Sequence, residues 1–143
     1  MRDDGSTVIV NYARSAQMQM VMVAVGGFSM LEGILEQTRG WAEPFSQLDR
    51  KLRAKGLTST ADDFMIFRQA INALKHGAGP SYEQLVRRDN LPFRVKSLDE
   101  NFFEEGDVSE IPGLVLVDKN FVLACSIVIE QVCTALEIPR LDV

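Results

Sequence analysis

Histidine and cysteine are scarce in this chain, and the scarcity closes off several kinds of chemistry. One histidine, His76, and two cysteines, Cys125 and Cys133, form no C-x-x-C and no H-E-x-x-H pair. The cysteines stand eight residues apart on what reads as one helix, about 12 Å along its axis, too far to bridge each other. They read as buried, reduced thiols of a cytoplasmic protein. Positive charge is also in deficit: 15 basic against 20 acidic residues give a net charge of −5. A broad basic face for duplex nucleic acid is therefore not expected, while a local basic pocket is compatible with this charge. There is no G-x-G-x-x-G, no P-loop and no G-x-S-x-G. The N-terminus has no apolar signal core, and the apolar run Val21–Leu31 is only 11 residues long, short for a bilayer. A soluble protein of the cytoplasm with no membrane association is expected.

What is present suits one domain spanning residues 1–143, with 46% hydrophobic content in an otherwise ordinary composition. Residues 1–9 read as a loose or extended lead-in. From Asn11 to Thr38, Tyr12, Ala16, Met20, Val23, Gly27, Met30 and Ile34 recur at steps of three and four, the pattern of a long helix. Its centre is apolar nearly all round, and Gly26-Gly27 marks close approach of another helix, across a subunit contact if the chain is a dimer. Glu32 and Glu36 share a ridge and can pair with Arg39; further ligands are lacking, so no metal is expected there. Residues 41–56 form a second helix with Trp41, Phe45, Leu48 and Leu52 inward. Arg50, Lys51, Arg53 and Lys55 read as a solvated face, with RNA contact as the functional alternative.

The third helix, within residues 58–80, has the best marked ends. Thr60 and Asp63 resemble a capping box, Lys75 and His76 occupy the last turn, and Gly77, Gly79 and Pro80 stop it. Phe64, Phe67, Ile71 and Leu74 make its apolar stripe. Arg68, Asn72, Lys75 and His76 fall within about 100° on one flank, so the only histidine stands with two cations and a carboxamide. Ser81–Gln84 is a second capping box, opening a short helix to Asp89. The texture then changes: Phe93–Ser97 alternates with period two and Leu114–Val117 is β-branched, so a small β-hairpin is expected. Its loop, 98–112, holds six acidic and no basic residues but lacks calcium-loop spacing, so it reads as a solvated loop anchored by Phe102-Phe103. A last helix runs from Asp118 as N-cap to Ile138, with apolar positions on two sides.

Chemistry on these residues means acid/base work without metal or covalent intermediate. His76 would move the proton while Arg68 or Lys75 stabilises phosphoryl charge. The bland alternative is a histidine capping a helix C-terminus. Both cysteines lie on apolar stripes, which argues against a thiolate nucleophile.

Ile71-Asn-Ala-Leu-Lys-His-Gly-Ala-Gly79, with Phe28-Ser-Met-Leu-Glu-Gly-Ile-Leu35 before it, resembles the HEPN (higher eukaryotes and prokaryotes nucleotide-binding) superfamily. The resemblance spans residues 10–80 and the last helix. It implies a helical bundle, a homodimer, and a place in a toxin–antitoxin or phage-defence system with an antitoxin protein as partner. It also implies a metal-independent endoribonuclease using an arginine, a polar residue after it and a histidine near the dimer cleft. His76 matches that histidine and Asn72 the polar residue; in this register Ile71 stands at the arginine position, and Arg68 precedes His76 by seven intervening residues.

The expected fold is mainly α, an antiparallel bundle of four to five helices with a small β-hairpin before the last, dimeric through the first or the central helix. The expected function is an RNA-binding protein or metal-independent endoribonuclease without cofactor. In it His76, Arg68 and Asn72 are catalytic, Asn72 orienting the histidine, and Lys75 and Arg68 contact phosphate. The alternative is a catalytically inactive helical dimer, a regulatory module that meets a protein partner through the acidic loop.

Overall fold

A computed structural model of the chain describes residues 4–97 and 114–138. Five helices follow one another: α1 (Asp4–Arg39), α2 (Pro44–Ala54), α3 (Thr58–His76), α4 (Pro80–Val86) and α5 (Lys119–Ala135). The helix begins at Asp4, so the extended lead-in expected over residues 1–9 is corrected. Val8-Ile9-Val10 has β propensity, but helix once nucleated extends at one hydrogen bond per residue fixed. By length and composition Ser15–Arg39 is also long and apolar enough to cross a membrane, although only part of it is buried inside the bundle. The shorter run Val21–Leu31 understated that stretch.

Turn chemistry ends the helices. After α2, Gly56 takes a positive φ of 78°, which glycine adopts without strain; Gly56 N–H donates to Arg53 O and Leu57 N–H to Leu52 O, closing the helix. The same pair of bonds closes α5, from Glu137 N–H to Thr134 O and Ile138 N–H to Cys133 O. There Glu137 occupies the left-handed region, at φ 56°. The helix therefore stops at Ala135, earlier than the Ile138 end that Pro139 suggested.

The caps differ in outcome. Asp118 caps α5 as expected, its Oδ1 accepting from Phe121 N–H at 2.8 Å. Thr60 does not cap α3, which starts at Thr58 with Leu57 as N-cap and no side-chain bond. Asp62 instead accepts from Arg53, which also pairs with Asp49. Ser81 does not cap α4 either: Pro80 already opens it, and the Ser81 hydroxyl accepts from Asn72 Nδ2 at 3.4 Å. A proline at the first helical position needs no N–H partner, so α4 begins before the predicted box.

Helix α1 lays Ala24, Phe28, Leu31 and Leu35 against a core completed by Leu48 and Leu52 of α2, Phe64, Phe67 and Ile71 of α3, and Phe121, Cys125 and Val132 of α5. Phe28, Phe45 and Phe64 stack within 5.1–6.3 Å of one another, and Phe67, Phe93 and Phe121 form a second triangle at 5.3–5.7 Å. A Cβ on Gly27 would lie 3.3 Å from Ile129 Cδ1, so this glycine is the close-approach point of α1 and α5 within one chain. Arg39, in the last turn of α1, donates to Leu136 O just past the end of α5. Gly27 and Arg39 thus match Ile129 and Leu136 in the same order, and α1 and α5 run parallel. Not every neighbouring pair is therefore antiparallel.

Among the described residues there is no strand. The two segments expected as a hairpin meet at one antiparallel bridge, Val95 to Val115, with Lys96 N–H donating to Leu114 O and Leu116 N–H to Arg94 O. The acidic loop and Phe102-Phe103 lie outside the described residues.

Candidate functional site

Helix α3 supplies most of the site. Its buried side, Phe64, Phe67, Ala70, Ile71 and Ala73, fixes its rotation against the core, which leaves Arg68, Asn72 and Lys75 along the edge facing α1. There they line a cleft of about 70 Å³ with Phe28, Ser29 and Glu32 of α1, Phe45 of α2 and Ile71. The Arg68 guanidinium carbon lies 5.4 Å from the centre of the Phe45 ring, a cation–π contact that orients the fork. Among the described residues no ion pair joins Arg68 or Lys75 to a carboxylate. Two cations on one edge with no ion pair among the described residues can attract an anion, against which Glu32 in the same cleft works.

The surroundings of Arg68 are not uniformly basic. Its other side borders a wider bay of about 350 Å³ lined by Glu32, Glu36, Glu43 and Ser46. The expected pairing of Glu32 and Glu36 with Arg39 is not formed, since Arg39 is engaged at the end of α5. Acceptors in the bay repel a long polyanion, so the Lys75 end of the cleft is the favourable one for phosphate.

His76 is placed apart from this cleft. It is the last residue of α3, exposed, and roughly 100° around the helix from Lys75, on the far side of Asn72. Nor does Asn72 orient it: the carboxamide donates to Ser81 at the start of α4. The structure therefore gathers Arg68, Asn72 and Lys75 and leaves His76 one flank away.

Of the four basic residues of α2, two have structural tasks. Arg53 bonds Asp49 at 3.0 Å and Asp62 at 2.8 Å, and these two carboxylates hold its proton more firmly than usual. Lys55 Nζ donates to Ala135 O at 2.9 Å, so with Arg39 it covers the carbonyl end of α5, whose own last turn has no basic residue. Arg50 and Lys51 remain beside Trp41 on an open groove. The thiol of Cys125 is pushed up to about 12 by burial, and that of Cys133 is raised by burial and by Glu130. Neither is an activated nucleophile. Among the described residues no three His, Cys, Asp or Glu side chains cluster to hold a metal ion.

Ser29 and Phe45 were not legible as cleft residues, and Glu32 read as a partner of Arg39 rather than as part of the cleft. The signal for Phe45 was its aromatic position at the second residue of α2; its placement under Arg68 depends on the angle between α2 and α3. The chain matches no protein-family model, no curated protein and no solved structure.

Proposed function

We propose that this chain is a HEPN-like RNA-binding protein of the cytoplasm that grips backbone phosphate between Arg68 and Lys75. The observation that carries this reading is the convergence of Arg68, Asn72 and Lys75 on one cleft, with no ion pair to either cation among the described residues. In this reading the chain is also a metal-independent endoribonuclease. His76, one flank away from the cleft, takes the proton of an RNA 2′-hydroxyl, whose oxygen attacks the adjacent phosphorus; the bond to the 5′-oxygen breaks, and that oxygen takes a proton from solvent water as it leaves. Products carry 2′,3′-cyclic phosphate and 5′-hydroxyl ends. The bridge at Val95 and Val115 supports a hairpin inserted before α5 as part of the same fold.

The test is incubation of a mixed tRNA and mRNA pool in EDTA with wild type, His76→Ala and Arg68→Ala. Cyclic ends from wild type, lost in His76→Ala while RNA binding persists, support the ribonuclease. Binding without cleavage leaves a phosphate-gripping protein and removes His76 from the mechanism.

A second reading, a catalytically inactive helical module that works by protein contact, is favoured by the glutamates beside Arg68 and by the exposed apolar side chains of α1. Neither binding nor cleavage of RNA at high protein concentration selects it.

A further inference from the structure

Arg68 stands between two cavities of different chemistry. On one side is the cleft of about 70 Å³ with Asn72 and Lys75; on the other is the bay of about 350 Å³ with Glu36, Glu43 and Ser46. Glu32 and Phe45 line both, so the two spaces adjoin along one wall. That wall is firmly built. The Phe45 ring packs 6.3 Å from Phe28 and 5.1 Å from Phe64 between centroids, and the Arg68 guanidinium lies 5.4 Å from its centre.

Carboxylates next to an anion grip are unfavourable for a bare anion. They become favourable for a ligand that carries hydrogen-bond donors a short reach from its anion, because carboxylate oxygens accept. A nucleotide is built this way, with a phosphate at one end and a planar base with a polar edge at the other. The smaller cavity has room for one phosphate group and the larger for one base. A metal ion is the other usual occupant of neighbouring carboxylates, but among the described residues no three acidic, histidine or cysteine side chains converge to hold one.

We propose that the bay receives the base of the nucleotide whose phosphate Arg68 and Lys75 grip, and that it selects guanine. The proposal rests on the phosphate reading of the cleft. Guanine sets two donors side by side on its Watson–Crick edge, N1–H and the 2-amino group. Glu36 and Glu43, which line the bay and not the cleft, accept from them. Ser46 supplies a hydroxyl donor for guanine O6, and the Arg68 guanidinium is a plane on which a base can stack. The other bases fit less well. Adenine and cytosine place a ring-nitrogen acceptor beside their one amino group, and uracil flanks its one N–H with carbonyls. Each therefore sets an acceptor against a carboxylate. Glu32, on the shared wall, keeps the phosphate at the Lys75 end of the cleft.

The test is fluorescence polarisation with short labelled RNAs, 2′-O-methylated against cleavage, that carry guanosine, inosine, adenosine, cytidine or uridine at one central position among uridines. The full chain is expected to bind the guanosine oligomer about tenfold more tightly than the adenosine, cytidine or uridine ones, and Arg68→Ala to weaken all of them. Inosine lacks the 2-amino group and should fall in between. Glu36→Gln/Glu43→Gln removes two negative charges, which by itself strengthens binding of every RNA alike; the proposal requires that the guanosine preference be lost as well. Both glutamates are exposed, so unchanged helical circular dichroism confirms that the variant folds. Equal binding of all the oligomers, inosine binding as tightly as guanosine, or a preference that survives in the double variant overturns the base site and leaves the phosphate grip standing. Binding of none of them, or binding that Arg68→Ala leaves unchanged, removes the grip itself and the base site with it.

Discussion

Single residues carry two strains that can be read out directly. Glu137 holds the left-handed position that closes α5, where a side chain costs of order 1 kcal/mol and glycine costs little. Glu137→Gly is expected to raise stability by up to about 1 kcal/mol in urea unfolding, less the added entropy of the unfolded chain. No gain would mean that the Glu137 side chain makes compensating contacts. Cys125 carries the other. Its folded-state thiol is pushed up to about 12, whereas in the unfolded chain it ionises around 8.5. Above that pH the unfolded state binds fewer protons than the folded one, so this group's contribution to stability falls as pH rises towards 12. Unfolding at pH 7, 8.5 and 10 should show a decline that is shallower in Cys125→Ala; equal slopes would remove the thiol as a cause. Neither effect was legible in the sequence beforehand: a cysteine on an apolar stripe implies burial, but its depth depends on what packs over it.

At the scale of elements, the helices were legible and their starts were not. Apolar spacing located α1, α2, α3 and α5, because a periodicity of three and four persists wherever the ends fall. Capping patterns gave one correct N-cap in three. Asp118 succeeds because an extended segment leads into it, leaving its carboxylate free to turn back onto Phe121 N–H. Thr60 and Ser81 fail because α3 and α4 are already under way at Thr58 and Pro80. Asp118→Ala is therefore expected to cost about 1 kcal/mol, while Thr60→Ala should stay within about 0.5 kcal/mol. Chemical denaturation of the two variants checks this, and equal losses would put the cap assignments in error. The pairing of α1 with α5 had no sequence signal beyond Gly27, since helix neighbours distant in the chain leave no local pattern.

For the whole molecule, acidity limits any binding of RNA of the kind proposed. With a net charge of −5 and an acidic bay beside Arg68, few phosphates can be engaged at once. If Arg68 and Lys75 are the contacts, log affinity for single-stranded RNA should fall with log salt at a slope of about −1.4, and Arg68→Ala should halve it. A much steeper slope in a binding titration would place the contact elsewhere, with Arg50 and Lys51 beside Trp41 the next residues to change.

The sequence by itself determined a helical chain with a mixed core, the helix bearing Arg68, Asn72 and Lys75, and the inertness of the cysteines. Each follows from local periodicity or composition, which survives any arrangement of the elements. Only the tertiary structure decided that Phe45 lies under Arg68, that Glu32 shares the cleft, that Arg39 and Lys55 cover the end of α5, and that His76 stands outside. Those outcomes depend on the rotation and crossing of helices. They are fixed by how Phe28, Phe64 and Phe67 pack with partners far away in the chain, and no window of neighbouring residues contains that information.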